Sequence, residues 1–324
     1  MITRRQFIKS SAATALISSV PYAASAAHAV HSETGAAFGS SWRLVLASRK
    51  DAHAARQVIK TIVERIDARM SPFRNESELA LFNQSNATEI PHVLSAETSQ
   101  VVASALGLAR DSEGAFDPTA APIARRFGFG PLAISADRPA GRYADIQLIG
   151  REITSQTSGL SLDLCAMAKG HALDEMVQGM DGMDFLLELG GEIAARGRHP
   201  TGRPWRMGIE RPGSDALQRI IDAGDDVLAT SANVQEGYRV ASKRYGHVVD
   251  PRTAQPVDNG VASVSVLAAS GKWADGLATA ALVMGPEKAK PLLKAYGARA
   301  LFLLGSGASM HEVDVFGFTQ RRVG

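Results

Sequence analysis

Apolar residues recur along this chain first at helical spacing and later in short alternating runs. Ala55, Val58, Ile59, Ile62, Val63, Ile66 and Met70 share one face of a helix that Asp51 opens and Pro72 stops. The same periodicity predicts helices over Ser77 to Gln84 and Ser95 to Ser112, with Gly114 suited to end the latter. A strand over Trp42 to Ser48 precedes them, and the Gly-, Pro- and Ala-rich stretch from Arg126 to Arg142 has no period and reads as a loop. From Ala144 onward short strands dominate: Ile146 to Ile153, Leu160 to Leu164, Phe185 to Leu189, Ile193 to Arg196, Trp205 to Glu210, Val227 to Ser231, His247 to Asp250 and Val261 to Ala269. Helices over about Trp273 to Met284 and Pro286 to Tyr296 interrupt this series before a last strand near Arg299 to Leu304. Strands joined by turns, with helices in clusters, predict an α+β fold with mixed or antiparallel sheets and packed helices.

One junction in this pattern carries chemistry. Leu160, Leu162 and Leu164 alternate with Ser161 and Asp163, while beyond Gly170 the residues Ala172, Leu173, Met176, Val177 and Met180 take helical spacing. The segment Asp163 to Gly170 is therefore expected to be a turn that ends in the first turn of a helix. Free N–H groups there, with Lys169 beside them, would favour an anionic group such as a phosphate. In the alternative, Asp163 only caps the helix and Lys169 is solvated.

Composition narrows the classes. The chain has 324 residues, 45% of them hydrophobic, and a formal net charge of +2. That length allows one large domain or two closely packed subdomains, and the near-neutral charge without a basic, aromatic-interleaved run argues against nucleic-acid binding. The single cysteine, Cys165, excludes an internal disulfide. Residues 1–29 read as a twin-arginine signal peptide: Arg4 and Arg5, a short apolar run to Val20, then the small-residue sites Ala24-Ser25-Ala26 and Ala27-His28-Ala29. The expected location is periplasmic, with no transmembrane segment in the mature chain, since the apolar run is too short for a permanent anchor.

Further motifs add donors. Asp275 and Thr279 lie one helical turn apart and offer hard oxygen donors of the type Mg²⁺ takes, or else are an exposed Asp near a helix start and a Thr bonded to its own backbone. His247 heads a short apolar strand that ends in the Asp250-Pro251 turn; histidine is suited to general-base work, but a lone one is more often a surface or hydrogen-bonded structural residue. Phe116-Asp117-Pro118-Thr119 and Ala229-Thr230-Ser231-Ala232 would permit close approach of a flat or phosphorylated ligand, and turn chemistry explains them equally well. The glycines of Leu189-Gly190-Gly191-Glu192 are consistent with nothing more than a tight turn between two strands.

Taken in order, these motifs resemble the FAD:protein FMN transferase family, the ApbE-like flavin transferases. The resemblance spans essentially the whole mature length and implies one domain over residues 30–324. It is carried by Asp67 to Pro72 with Ser77 to Asn83, Phe116 to Thr119, Asp163 to Gly170, Leu189 to Glu192, Ala229 to Ser231, His247 to Thr253 and Ala274 to Thr279. It implies an ApbE-like fold and Mg²⁺-dependent transfer of FMN from FAD to a Thr or Ser hydroxyl of an acceptor flavoprotein, releasing AMP. The expected acceptor is a subunit of a membrane electron-transfer system. By position, the resemblance gives Mg²⁺ to the Asp275 carboxylate, the Thr279 hydroxyl and the Ala166 backbone carbonyl. It places Phe73, Phe116, Asp117, Asp163, Lys169 and Val249 along the flavin nucleotide and makes His247 the general base. Two alternatives remain on the same scaffold: an Mg²⁺-dependent FAD pyrophosphatase giving FMN and AMP, and a periplasmic FAD-binding carrier.

Overall fold

Eight strands lie side by side in chain order, every neighbouring pair antiparallel. They are β1 (His31–Ala37), β2 (Ser40–Leu46), β3 (Phe185–Leu189), β4 (Glu192–Arg196), β5 (Val227–Ala232), β6 (Val261–Ala268), β7 (Arg299–Leu304) and β8 (His311–Val315). The structure, a computed structural model, describes residues 29–321 except 86, 87, 89, 131–133, 234–236, 241 and 242, and the signal peptide read at residues 1–29 falls outside it but for the last residue.

Alternation along the strands sorts their side chains onto two covered faces. Leu44 and Leu46 of β2 and Ala300 and Phe302 of β7 point to a core shared with the helices. Val45, Leu301 and Leu303 point the other way, into a second core with Trp205, Met207, Ile209, Ile221 and Phe318. All eight residues of β6 are buried, as a central strand covered on both sides requires. The ribbon Arg206–Glu210 with Leu217–Asp222 supplies much of the second cover.

The helices are α1 (Ala52–Met70), α2 (Glu78–Gln84), α3 (Ala96–Asp111), α4 (Ala121–Arg126), α5 (Cys165–Gly179), α6 (Gly271–Met284) and α7 (Pro286–Ala295). Local chemistry fixes their ends. Ser77 Oγ accepts the Ala80 N–H and Ser95 Oγ the Thr98 N–H, each capping its helix. Gly114, at φ +77°, donates its N–H to Ala109 and closes α3. Among the described residues no helix is long and apolar enough to cross a membrane.

Several expectations need correction. Leu160 to Leu164 is not a strand. Its alternation is real, but the Asn83 side chain takes the place of a neighbouring strand: Leu162 N–H donates to Asn83 Oδ1 at 2.7 Å and Asn83 Nδ2 donates to the Leu162 carbonyl at 2.8 Å. Helix α5 begins at Cys165, so the segment Asp163 to Gly170, expected to be a turn ending in the first turn of the helix, is helical for most of its length and Lys169 lies within it. Ile146 to Ile153 is a hairpin, Ile146–Ile149 and Glu152–Ser155, turned at Gly150 with φ +61°. Periodicity missed α4, β1, β8, the strand Leu217–Asp222 and the ribbon Gly237–Val240 with Lys243–Gly246.

Candidate active site

The site grows from the crossing of α5 and α6, which only glycine permits. A Cβ on Gly271 would lie 2.6 Å from the Gly170 carbonyl oxygen, and one on Gly170 would run into the Gly271 backbone. One turn beyond Gly170, Asp174 caps α6 from the neighbouring helix. Its carboxylate accepts Ser270 Oγ at 2.6 Å, the Gly271 N–H at 2.5 Å and the Lys272 N–H at 3.0 Å. This fixes the first turn of α6, and the next turn then delivers Asp275 to α5. Asp275 Oδ2 accepts the Gly170 N–H at 3.2 Å and stands 3.5 Å from Lys169 Nζ.

A second carboxylate shares the lysine. Lys169 Nζ donates to Glu192 Oε1 at 2.8 Å, and the other oxygen, Glu192 Oε2, is buried without a hydrogen-bond partner. Glu192 and Asp275 are only 3% and 5% exposed, so this is a desolvated charge cluster at the start of β4. Burial raises the carboxyls of both Glu192 and Asp275 above the ordinary range, against the pull of the Lys169 ammonium. Burial opposes the ammonium of Lys169, but the charges of Asp275 and Glu192 outweigh it and hold the lysine protonated.

These donors fit a hard cation. Asp275 and Thr279 occupy successive turns of α6, and Thr279 Oγ1 is 3.3 Å from Ser231 Oγ at the end of β5. In a helix the carbonyl of residue 166 points at the amide of residue 170, so the Ala166 carbonyl and the Asp275 carboxylate converge on one N–H. Among the described residues no three His, Cys, Asp or Glu side chains group as a metal cluster. A cation here would thus take a mixed set of carboxylate, hydroxyl and backbone oxygen, as Mg²⁺ does alongside water and substrate phosphate.

Of the residues expected along the flavin, Phe116, Asp117 and Asp163 gather at the start of α5. Asp163 donates its N–H to the Pro118 carbonyl at 2.7 Å and accepts the Cys165 N–H on Oδ1 at 2.8 Å, which joins the Phe116 to Thr119 turn to the helix. Asp117 is committed to that turn. Oδ1 accepts Thr119 N–H and Oγ1 and Oδ2 accepts the Tyr143 N–H, while burial still pushes its carboxyl upward. Phe116 is buried, whereas Phe73, just past the end of α1, is 61% exposed.

His247 belongs to a separate piece of chain. It follows the ribbon ending at Gly246, is half-buried, and lies edge-on to Phe129 with ring centroids 6.3 Å apart. Val249, buried, pairs with Pro256, and Val257 N–H donates to the Val248 carbonyl at 2.9 Å. Asn233 Nδ2 donates to the Val257 carbonyl at 3.0 Å, so this segment hangs from the end of the strand that carries Ser231. Asp250 accepts the Arg252 N–H, Nε and Nη2 and closes the Asp-Pro-Arg turn.

Sequence reading missed Glu192 and Phe129 as neighbours of these groups. A glutamate placed directly after two glycines at a strand start was the only available sign of the first; no pattern marked the second.

Comparison with known proteins matches the ApbE family model to residues 38–302. The FAD:protein FMN transferase of Vibrio cholerae is 34% identical over 260 residues, covering 76% of this chain and 78% of that protein. The protein of the same name from Haemophilus influenzae is 32% identical over 251 residues, with 71% and 72% covered. Among solved structures, the flavin transferase ApbE of Vibrio cholerae superposes with a TM-score of 0.78 at 30% identity, over 90% of this chain and all of that one. The flavinyl transferase ApbE of Pseudomonas stutzeri gives 0.79 at 28% identity, over 91% and 98%.

Proposed function

This chain belongs to the ApbE family, and from that membership we propose that it is an FAD:protein FMN transferase. In this reading it transfers FMN from FAD to a threonine or serine hydroxyl of an acceptor flavoprotein and releases AMP. The observation that carries it is the half-buried Lys169 set between the buried carboxylates of Glu192 and Asp275 at the crossing of α5 and α6, with Thr279 one turn on. A carrier of FAD would need neither a buried, cation-binding carboxylate nor a base.

The acceptor oxygen bonds to the FMN-side phosphorus as the bond from that phosphorus to the AMP phosphate oxygen breaks. A hydroxyl is a weak nucleophile unless it loses its proton during attack, and His247 takes that proton. Lys169, kept charged by its two carboxylates, presents an ammonium to the diphosphate. Mg²⁺ held by Asp275, Thr279 and the Ala166 carbonyl would supply electrostatic stabilisation as negative charge builds on the phosphoryl oxygens. Phe73, Phe116, Asp117, Asp163 and Val249 flank the flavin nucleotide. The Arg4-Arg5 leader supports twin-arginine export, which would place the enzyme in the periplasm with an acceptor subunit of a membrane electron-transfer system.

The test is incubation of the purified chain with FAD, Mg²⁺ and candidate acceptors, read by mass spectrometry and nucleotide chromatography. Covalent FMN on a Thr or Ser, with one AMP per adduct, is expected. Bound FAD with no adduct on any acceptor would contradict transfer, and free FMN formed without acceptor would favour the pyrophosphatase.

A further inference from the structure

In the reading above Glu192 does no more than help keep Lys169 charged, yet the fold is arranged around it. It is 3% exposed and ties Lys169 through Oε1, while Oε2 is buried without a partner. The turn before it is shaped to admit the lysine stem. Gly190 has φ +62°, and a Cβ there would lie 3.3 Å from Lys169 Cδ and 3.6 Å from Glu192 Oε2. The Gly190 N–H is fastened to the Ser41 carbonyl at 2.9 Å, and the Gly191 N–H to Glu188 Oε1 at the same distance. Turn, strand and lysine thus form one unit.

The distances show what that unit does. Lys169 makes its hydrogen bond to Glu192 at 2.8 Å and pairs with Asp275 only at the longer distance of 3.5 Å. Without Glu192, nothing else among its described partners would hold the ammonium at that longer distance from Asp275, and the ion pair would tighten to hydrogen-bond length. An ammonium seated on a carboxylate competes with a cation for the same oxygens. We propose that Glu192 is a positioning residue that draws Lys169 off Asp275, leaving the Asp275 carboxylate open to a divalent cation and the lysine open to the diphosphate. The Gly190-Gly191-Glu192 motif is then part of the cation site, although Glu192 touches no cation itself. This rests on the flavin-transferase reading for the identity of the diphosphate, but not for the competition between lysine and cation.

The experiment measures Mn²⁺ binding to the full chain by the paramagnetic resonance signal of free Mn²⁺, with neither FAD nor acceptor present. Glu192→Ala weakens Mn²⁺ binding about tenfold or more, and the isosteric Glu192→Gln, which keeps an acceptor for Nζ, weakens it less. In a Lys169→Met background the same Glu192→Ala change has little further effect, because the competitor is gone. In the transfer assay the half-saturating Mg²⁺ concentration rises by a similar factor, with a smaller change in kcat at saturation. Unaltered Mn²⁺ affinity in a folded Glu192→Ala protein overturns the proposal, as does an equal loss with and without Lys169. A wild-type chain that forms no adduct counts against the transferase reading alone, since Mn²⁺ binding is read independently of it.

Discussion

Lys169, Glu192 and Asp275 sit where two helices and a sheet strand lock together, whereas His247 stands at the end of a two-stranded ribbon, half-buried beside Phe129. In the first region a backbone contact between Gly170 and Gly271, the Asp174 cap and the Gly190 turn leave few ways to move. In the second, the described hydrogen bonds run from Val257 and Asn233, at the end of a sheet strand, to a segment reached through a two-stranded ribbon. The contrast separates two kinds of consequence. Under the proposed function, changes to the backbone lock of the first region are expected to alter the fold and cation binding together, while a change at His247 is expected to alter chemistry with little effect on the scaffold.

The largest expected effect is on the second region. His247→Ala slows transfer by on the order of 10²–10⁴, the usual contribution of general-base assistance. Thermal unfolding and FAD binding stay close to wild type, and an unchanged transfer rate would remove His247 from the mechanism.

The first region responds in the opposite way. Gly170→Val drives side-chain atoms into the Gly271 backbone, and overpacking of this kind costs about 1–3 kcal/mol or more, read by urea unfolding. Mn²⁺ binding falls with it, because Asp275 moves with α6. Asp174→Ala removes three hydrogen bonds from the start of α6 and costs about 1–2 kcal/mol, the range for a lost helix cap. Asp174→Asn restores part of that. Wild-type stability and cation binding in Asp174→Ala would erase the contrast.

The smallest effect is a pH dependence. Glu97 joins α3 to α1 and α5 by pairing with Arg65 at 3.2 Å, with Arg69, and with His171 at 2.9 Å. Burial works against its charged form, but His171 and the two arginines prevail and hold the carboxyl below its ordinary value of 4.5. Its contribution is therefore complete above the unfolded value and is lost as pH falls through the lower folded value. Glu97→Gln lowers stability at neutral pH and flattens the acid decline, as followed by thermal melts from neutral to acid pH. An identical acid decline in the variant would show that Glu97 is not the group responsible.

Much of the architecture was legible because burial leaves a period. The buried face of α1 and the limits of β7 were readable from spacing alone, since each element presents one side or a continuous apolar run to the core. Leu160 to Leu164 misled for a physical reason: alternation reports burial on one side, and Asn83, distant in sequence, satisfies a backbone that would otherwise need a neighbouring strand. The ribbon before His247 and the strand Leu217–Asp222 lack a strong apolar alternation, so nothing local announced them. At the site, Asp275, Thr279 and Lys169 were legible as residue types at suitable spacing. The role of Glu192 was not, because it exists only through the contact with Lys169 across the helix-to-sheet interface.

The proposed chemistry requires one cation to join α5 to α6 beside the diphosphate. A crystal structure of the chain soaked with FAD and Mn²⁺, phased to locate the metal by its anomalous signal, tests this most directly. The prediction is a metal peak touching the Asp275 carboxylate, the Thr279 hydroxyl and the Ala166 carbonyl, with Lys169 still on Glu192 and His247 facing the FMN-side phosphate. A metal bound elsewhere, or a diphosphate away from the α5 and α6 crossing, would contradict it.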